Sequence, residues 1–231
     1  MTGTLFINNL VINNLVINNL VINNLAGLLI ITSLLVIIVK RPATSALFYA
    51  LQSLVLVLIF LVLAETLNAH ELYLWSLTAF ITKVVLVPWI MYRAFRQMED
   101  PKANGGVIGT ASLIFIAAII ILLSYFVVEP VQLPMVSALK PALAVSLGHF
   151  LIGLLCIVTQ RNILKNIFGY CLMENGAHLM LALLAFRAPE LVEIGIATDA
   201  IFAVVVMTLM ARKIYRTLHT LDVKQLTALK G

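Results

Sequence analysis

Glu174 and Asp199 fall in the middle of two consecutive apolar stretches near the carboxyl end of the chain. An ionisable side chain at the centre of a bilayer costs roughly 2.5–3.5 kcal/mol on insertion scales. Such a group is kept because it moves a proton, binds an ion or pairs with another buried charge. Three further residues sit at comparable depth, Lys83, His149 and His178. Glu174 and His178 are four residues apart, so they share a face of a helix. Lys83 pairs with a carboxylate or relays protons itself. The two histidines titrate near neutrality, and each alternatively serves as a satisfied hydrogen-bonding group in the core. Asp199 follows Thr198 among Gly195, Ala197, Ala200 and Ala203, small residues that suit close helix contact. The expectation is a set of proton-exchanging groups. The competing expectation is a static Lys83–Glu174 ion pair and a protonated Asp199 that lock helices together.

The elements that hold these groups read as membrane helices. The 231 residues are 62% hydrophobic and 11% charged, against about half and about a quarter in a soluble domain. Seven apolar stretches lie near 24–39, 46–64, 72–92, 107–127, 141–158, 163–186 and 192–211, each close to the roughly 20 residues that a span needs. Measured from the outer edge, a rise of 1.5 Å per residue puts Asp199 at about 10 Å, both histidines at about 12–14 Å, Lys83 at about 15 Å and Glu174 at about 20 Å. Pro88, five residues after Lys83, cannot donate a backbone bond and frees the carbonyl of Val84. Asn175-Gly176 is expected to loosen its helix and admit water.

The formal charge of +5 points to topology and not to nucleic acid. Lys40, Arg41, Arg93, Arg96, Lys102, Arg161, Lys165, Arg212, Lys213, Arg216, Lys224 and Lys230 fall on one side, and only Lys140 and Arg187 on the other. The positive-inside rule then predicts an external amino terminus and a cytoplasmic carboxyl terminus. The fold expected is an all-α membrane protein of about seven transmembrane helices. It divides into an amino-terminal FINNL/VINNL repeat extension (1–25), four spans (26–140), a three-helix unit (141–216) and a cytoplasmic tail (217–231) with spaced leucines for a partner subunit. Residues Glu99, Asp100, Pro101 and Pro134 punctuate the loops.

Cys156 and Cys171 lie inside apolar helices, with no CxxC and no metal-ligand spacing. No cofactor or metal is expected, and no phosphate loop, dinucleotide fingerprint, nucleophile elbow or HExxH motif is present. The sequence argues against covalent catalysis by this chain alone.

The stretches FITKVVLVPWIM, LKPALAVSLGHFLIGLLCIV, QRNILKNIFGYCLMENGAHL and APELVEIGIATDAIFAVVVM, with the tail TLDVKQLTALKG, resemble the hydrogenase-4 component E family. The resemblance runs from about Leu25 to Gly231, and the repeat before it departs from the pattern. The last three helices also resemble subunit K of complex I and its relatives in sodium/proton antiporters. Arg161-Asn162, Gly169 and Asn175 fit that pattern, and Asp199 takes the place of its second buried Glu. Its first buried Glu falls at Cys171, whereas this chain carries its acid three residues later, at Glu174. The resemblance implies a non-redox, proton-conducting subunit in the bacterial inner membrane. Its partners would be other membrane subunits and a peripheral hydrogenase arm holding the nickel–iron site and iron–sulfur clusters of a formate hydrogenlyase-type complex. An antiporter subunit and a purely structural anchor are the alternatives.

Overall fold

The computed structural model describes residues 2–98, 100, 103, 105–131 and 137–226, with side chains from Val16 onward apart from those of Ser137 and Glu190. Glu99, Pro101, Lys102, Pro134, Lys230 and the tail beyond Leu226 lie outside the described residues. The chain is all-helical. Helices α1 (Thr2–Ile38), α2 (Pro42–Leu67), α5 (Thr110–Val128), α6 (Lys140–Thr159), α7 (Ile163–Leu184) and α8 (Glu190–Leu218) are long and apolar. Between α2 and α5 the chain runs as α3 (Glu71–Ala79), a π-helical segment (Phe80–Leu86) and α4 (Val87–Phe95), which together make one span. A short α9 (Val223–Leu226) follows α8. Among the described residues seven helices are long and apolar enough to cross a membrane. The boundaries lie close to the expected spans except at two ends: the VINNL repeat continues α1 towards the amino terminus, and α8 runs on past the expected limit to Leu218.

Two apolar cores fill the bundle. One joins Leu29, Val55, Ala79, Val145 and Leu179. The other joins Val36, Tyr49, Val87, Ile152 and Leu172. Each central span passes from one core to the other, and at each crossing it carries a buried polar residue. These are Ser33 on α1, Gln52 and Ser53 on α2, Lys83 on the π segment, His149 on α6 and Asn175 on α7. A polar layer therefore lies between two hydrocarbon-like cores, close to mid-span.

Glycines let α6 and α7 approach closely. A Cβ at Gly153 of α6 would meet Met173 N of α7 at 2.4 Å, and one at Gly176 of α7 would meet Phe150 N of α6 at 2.5 Å. Backbone therefore packs on backbone between α6 and α7, which fixes His149 beside Asn175. This corrects the expectation for Asn175-Gly176. The dipeptide does not loosen α7, which stays helical from Ile163 to Leu184; Gly176 is there because no side chain fits.

Helices α5 and α8 stand at the margin and present large apolar side chains outward, among them Phe115, Phe126, Leu191 and Phe202.

The end of the bundle bearing most of the basic residues is clasped by its own loops. Val107 N donates to Thr159 O, Ile163 N to Leu221 O and Val223 N to Arg161 O. Asp100 accepts from Thr220 Oγ1 and Leu221 N. Residues 220–223 thus pack against this chain's own α6–α7 loop, and Leu221, one of the spaced leucines, is fully buried within the chain. Lys165 is a second correction, since it is buried and not a surface topology charge. Its ammonium donates to Val36 O at 2.7 Å, Ile37 O at 3.3 Å and Ser45 Oγ at 2.5 Å. It thereby caps the carboxyl end of α1, where the helix dipole favours a cation.

Candidate functional site: a buried polar array

Lys83 sits in a widened turn for a local reason. Pro88 supplies no N–H, and Val87 N–H reaches back five residues to Thr82 O. The expected disruption before Pro88 thus takes the form of a π-helix, a feature frequent at functional sites. Lys83 is 1% exposed and points into the bundle.

From Lys83 the polar layer forms a continuous hydrogen-bonded array. Lys83 Nζ donates to Glu174 Oε1 at 2.6 Å and to Asn175 Oδ1 at 3.0 Å. Asn175 Nδ2 donates to Gln52 Oε1 at 2.8 Å, with Ser53 Oγ at 3.3 Å and Tyr49 Oη at 3.4 Å. Gln52 Nε2 lies 3.2 Å from His149 Nε2, and His149 Nδ1 lies 2.9 Å from Ser33 Oγ. An amide nitrogen only donates. His149 Nε2 therefore accepts, its proton resides on Nδ1, and the ring is neutral. Ser33 Oγ in turn donates to Leu29 O at 2.6 Å. Along the line Lys83–Asn175–Gln52–His149–Ser33 each donor points the same way, from the ammonium to a helix carbonyl.

The chemistry of the members differs. Glu174, Lys83 and His149 are ionisable, whereas the amides of Gln52 and Asn175 orient their neighbours without readily carrying a proton. The array thus couples one titratable pair to one titratable ring through two oriented dipoles in a low-dielectric layer, where such hydrogen bonds are strong and an unpaired member is costly. Removing any one member orphans its neighbours.

His178 is not in this array. It belongs to a separate pair with Glu193 of α8, with Nε2 and Oε2 2.7 Å apart and both side chains buried. Asp199 departs furthest from expectation. It lies on the exposed face of α8 beside Leu191, Ile194, Thr198 and Phe202, along an open groove. Tyr170 Oη donates to its Oδ2 at 3.5 Å. Tyr170 and Glu174 are one helical turn apart on α7, so Tyr170 stands between the buried array and the outer carboxylate. The five groups expected to form one ladder therefore divide into an array with Lys83, Glu174 and His149, a pair with His178, and a peripheral Asp199.

Ser33, Gln52, Ser53 and Glu193 were not singled out from sequence. Gln52-Ser53 interrupts the apolar run 46–64, and that interruption was the available signal. Glu193 follows Pro189 closely and reads as a helix boundary, which hides it.

The family model of NADH-ubiquinone/plastoquinone oxidoreductase chain 4L matches residues 141–231, which include α6, α7 and α8. Hydrogenase-4 component E of Escherichia coli (strain K12) is 63% identical over 231 residues, covering 100% of both chains, and so is the Shigella flexneri protein of that name. These alignments include the VINNL repeat, which is thus part of the shared length. An uncharacterized Mycobacterium tuberculosis protein is 23% identical over 71% of this chain and 74% of its own. No solved structure matches the chain. With a complex I-like three-helix unit carrying Glu174, Asn175 and His149 of the polar array, and relatives of that identity along its whole length, the chain belongs to the hydrogenase-4 component E family.

Proposed function

We propose that the chain is a non-redox membrane subunit of a proton-coupled nickel–iron hydrogenase complex of the formate hydrogenlyase type, and that its buried polar array is part of the proton path. The observation that carries this reading is the array itself. An ammonium, a carboxylate, an imidazole and two amides are joined at mid-span inside an apolar bundle. A structural anchor gains little from such an assembly, because apolar packing of the same volume is often as stable as a buried ion pair.

In this reading Glu174 takes up a proton and Lys83 compensates the charge change across 2.6 Å. The oriented amides transmit that change to His149. Protonating His149 Nε2 would force Gln52 to turn its oxygen towards the ring, and Asn175 would have to follow, so the array has two arrangements tied to two charge states. Tyr170 offers a lateral exit to Asp199. A carboxylate on a face that would otherwise meet lipid is costly, which favours coverage of that face by another membrane subunit. The distribution of Lys and Arg favours an external amino terminus in the bacterial inner membrane. Hydrogen chemistry belongs to the partner subunits.

The test is Glu174→Gln in the whole complex, reconstituted in sealed vesicles. Hydrogen formation in the presence of an uncoupler stays close to wild type, and proton movement per hydrogen formed falls about tenfold or more. Unchanged proton movement in the assembled variant excludes the reading.

A further inference from the structure

Glu193 has no place in the array, yet its setting is unusual. It lies in the first turn of α8, where Leu191 is 77% and Ile194 55% exposed, while Glu193 itself is 2% exposed. The turn places its apolar residues outward and its acid inward. The carboxylate is hydrogen-bonded at one oxygen, with Thr78 Oγ1 donating to Oε1 at 2.5 Å, and His178 Nε2 lies 2.7 Å from the other, Oε2. The latter contact is close, but its N–H is not aligned for a hydrogen bond. The imidazole is walled by Phe60 and Trp75, with ring centroids 4.7 Å and 5.4 Å away. On its far side His178 Nδ1 is buried without a hydrogen-bond partner among the described residues, as is Trp75 Nε1 nearby. A purely structural histidine would use its second nitrogen to fix the ring. Here that nitrogen is left for another donor or acceptor.

We propose that Glu193 and His178, held by Thr78, form a second proton-exchange site of the subunit, between the Lys83–Glu174 pair and the end of the bundle opposite the basic loops. This rests on the reading that the chain carries protons, and it assigns to Glu193 the role of second buried carboxylate that sequence pattern gives to Asp199.

The chemistry balances within the pair. The imidazolium N–H bond at Nε2 breaks, its electron pair stays on nitrogen, and an O–H bond forms at Glu193 Oε2. An ion pair becomes a neutral pair, so the buried site is uncharged overall before and after. A proton arriving at Nδ1 of the Nε2–H ring takes the pair from a charge of −1 to neutral, and its release from Oε2 returns the pair to −1 with the ring as the Nδ1–H tautomer, which reverts to Nε2–H before the next transfer. The position suits a relay. His178 is one turn from Glu174 on α7. Thr78 is linked to the turn that carries Lys83 through Thr82 Oγ1, which donates to Thr78 O at 2.7 Å. Both pairs thus draw one member from α7, and the span from Glu71 to Phe95 supplies Lys83 to the first and Thr78 to the second. Asp199, on the exposed face of α8, touches neither His178 nor Lys83 among the described contacts.

The experiment compares Glu193→Gln, Glu193→Asp and Glu174→Gln in the full hydrogenase complex in sealed vesicles, reading protons moved per hydrogen formed. Glu193→Gln keeps the Thr78 contact and lowers this ratio about tenfold or more, while uncoupled hydrogen formation is preserved; Glu193→Asp restores most of the ratio. If Glu193→Gln keeps the wild-type ratio while Glu174→Gln loses it, the second site is wrong and the proton-path reading survives. If both keep it, the proton-path reading itself falls. Should Glu193→Gln fail to assemble, His178→Gln decides, with a lost ratio supporting the site and a retained one overturning it.

Discussion

Glu193 and Asp199 of α8 stand six residues apart, Glu193 buried against His178 and Thr78, Asp199 exposed beside Phe202. Six residues turn a helix by about 600°, which leaves the two side chains about 120° apart around the axis. Both belong to one apolar helix, and depth alone would rank Asp199 as the more central. Face decides otherwise. The acid near the helix end is enclosed by its own chain, and the acid near mid-span is open to whatever adjoins the subunit. The two carboxylates that turn into the bundle between helices each meet a cation or imidazole from a neighbouring helix, Glu174 from Lys83 and Glu193 from His178.

If that contrast is sound, variants should rank by how completely their partners are enclosed. The largest effect belongs to Lys83→Met, which strands Glu174 and removes a donor from Asn175; thermal unfolding of the detergent-solubilised subunit should show a loss of about 3–5 kcal/mol. Adding Glu174→Gln should recover much of it, and failure to recover would mean that the pair is not coupled. Next comes Gln52→Leu, which leaves both Asn175 and His149 short of a partner. Its expected cost is about 1–3 kcal/mol by the same assay. Thr78→Val removes one donor to a carboxylate and should cost about 1.5 kcal/mol. Asp199→Asn should change the solubilised subunit by less than about 0.5 kcal/mol. A shift for Asp199→Asn as large as that for Thr78→Val would break the comparison. A cysteine at position 199 sharpens it, because a membrane-permeant maleimide should label it in the solubilised subunit and fail to label it in the assembled complex.

Much of this was legible in the sequence. Hydropathy and punctuation gave seven spans nearly at their observed limits, since a helix of fixed rise must fill a slab of fixed thickness. Lys83, Glu174 and His149 stood out because charge and imidazole are conspicuous among aliphatics, and Pro88 marked the irregular turn. Helix-to-helix orientation could not be read. The backbone contact through Gly153 and Gly176 sets which faces of α6 and α7 meet, and that contact turns Asn175 into a link between Lys83 and Gln52. Uncharged polar side chains such as Ser33 and Gln52 carry no charge to mark them, so their role emerges only when three helices converge on them. Asp199 shows the converse error, in which a carboxylate within an apolar run is taken for an inward-facing one.

The most direct measurement is an infrared difference spectrum of the complex during hydrogen turnover, recorded for wild type and Glu174→Gln. The account predicts a carboxyl C=O stretching band that shifts in D2O and disappears in the variant, because Glu174 gains and loses a proton in each cycle. An unchanged carboxyl region in the variant would mean that Glu174 remains a permanent counter-ion to Lys83, and the polar layer would then be only a structural lock.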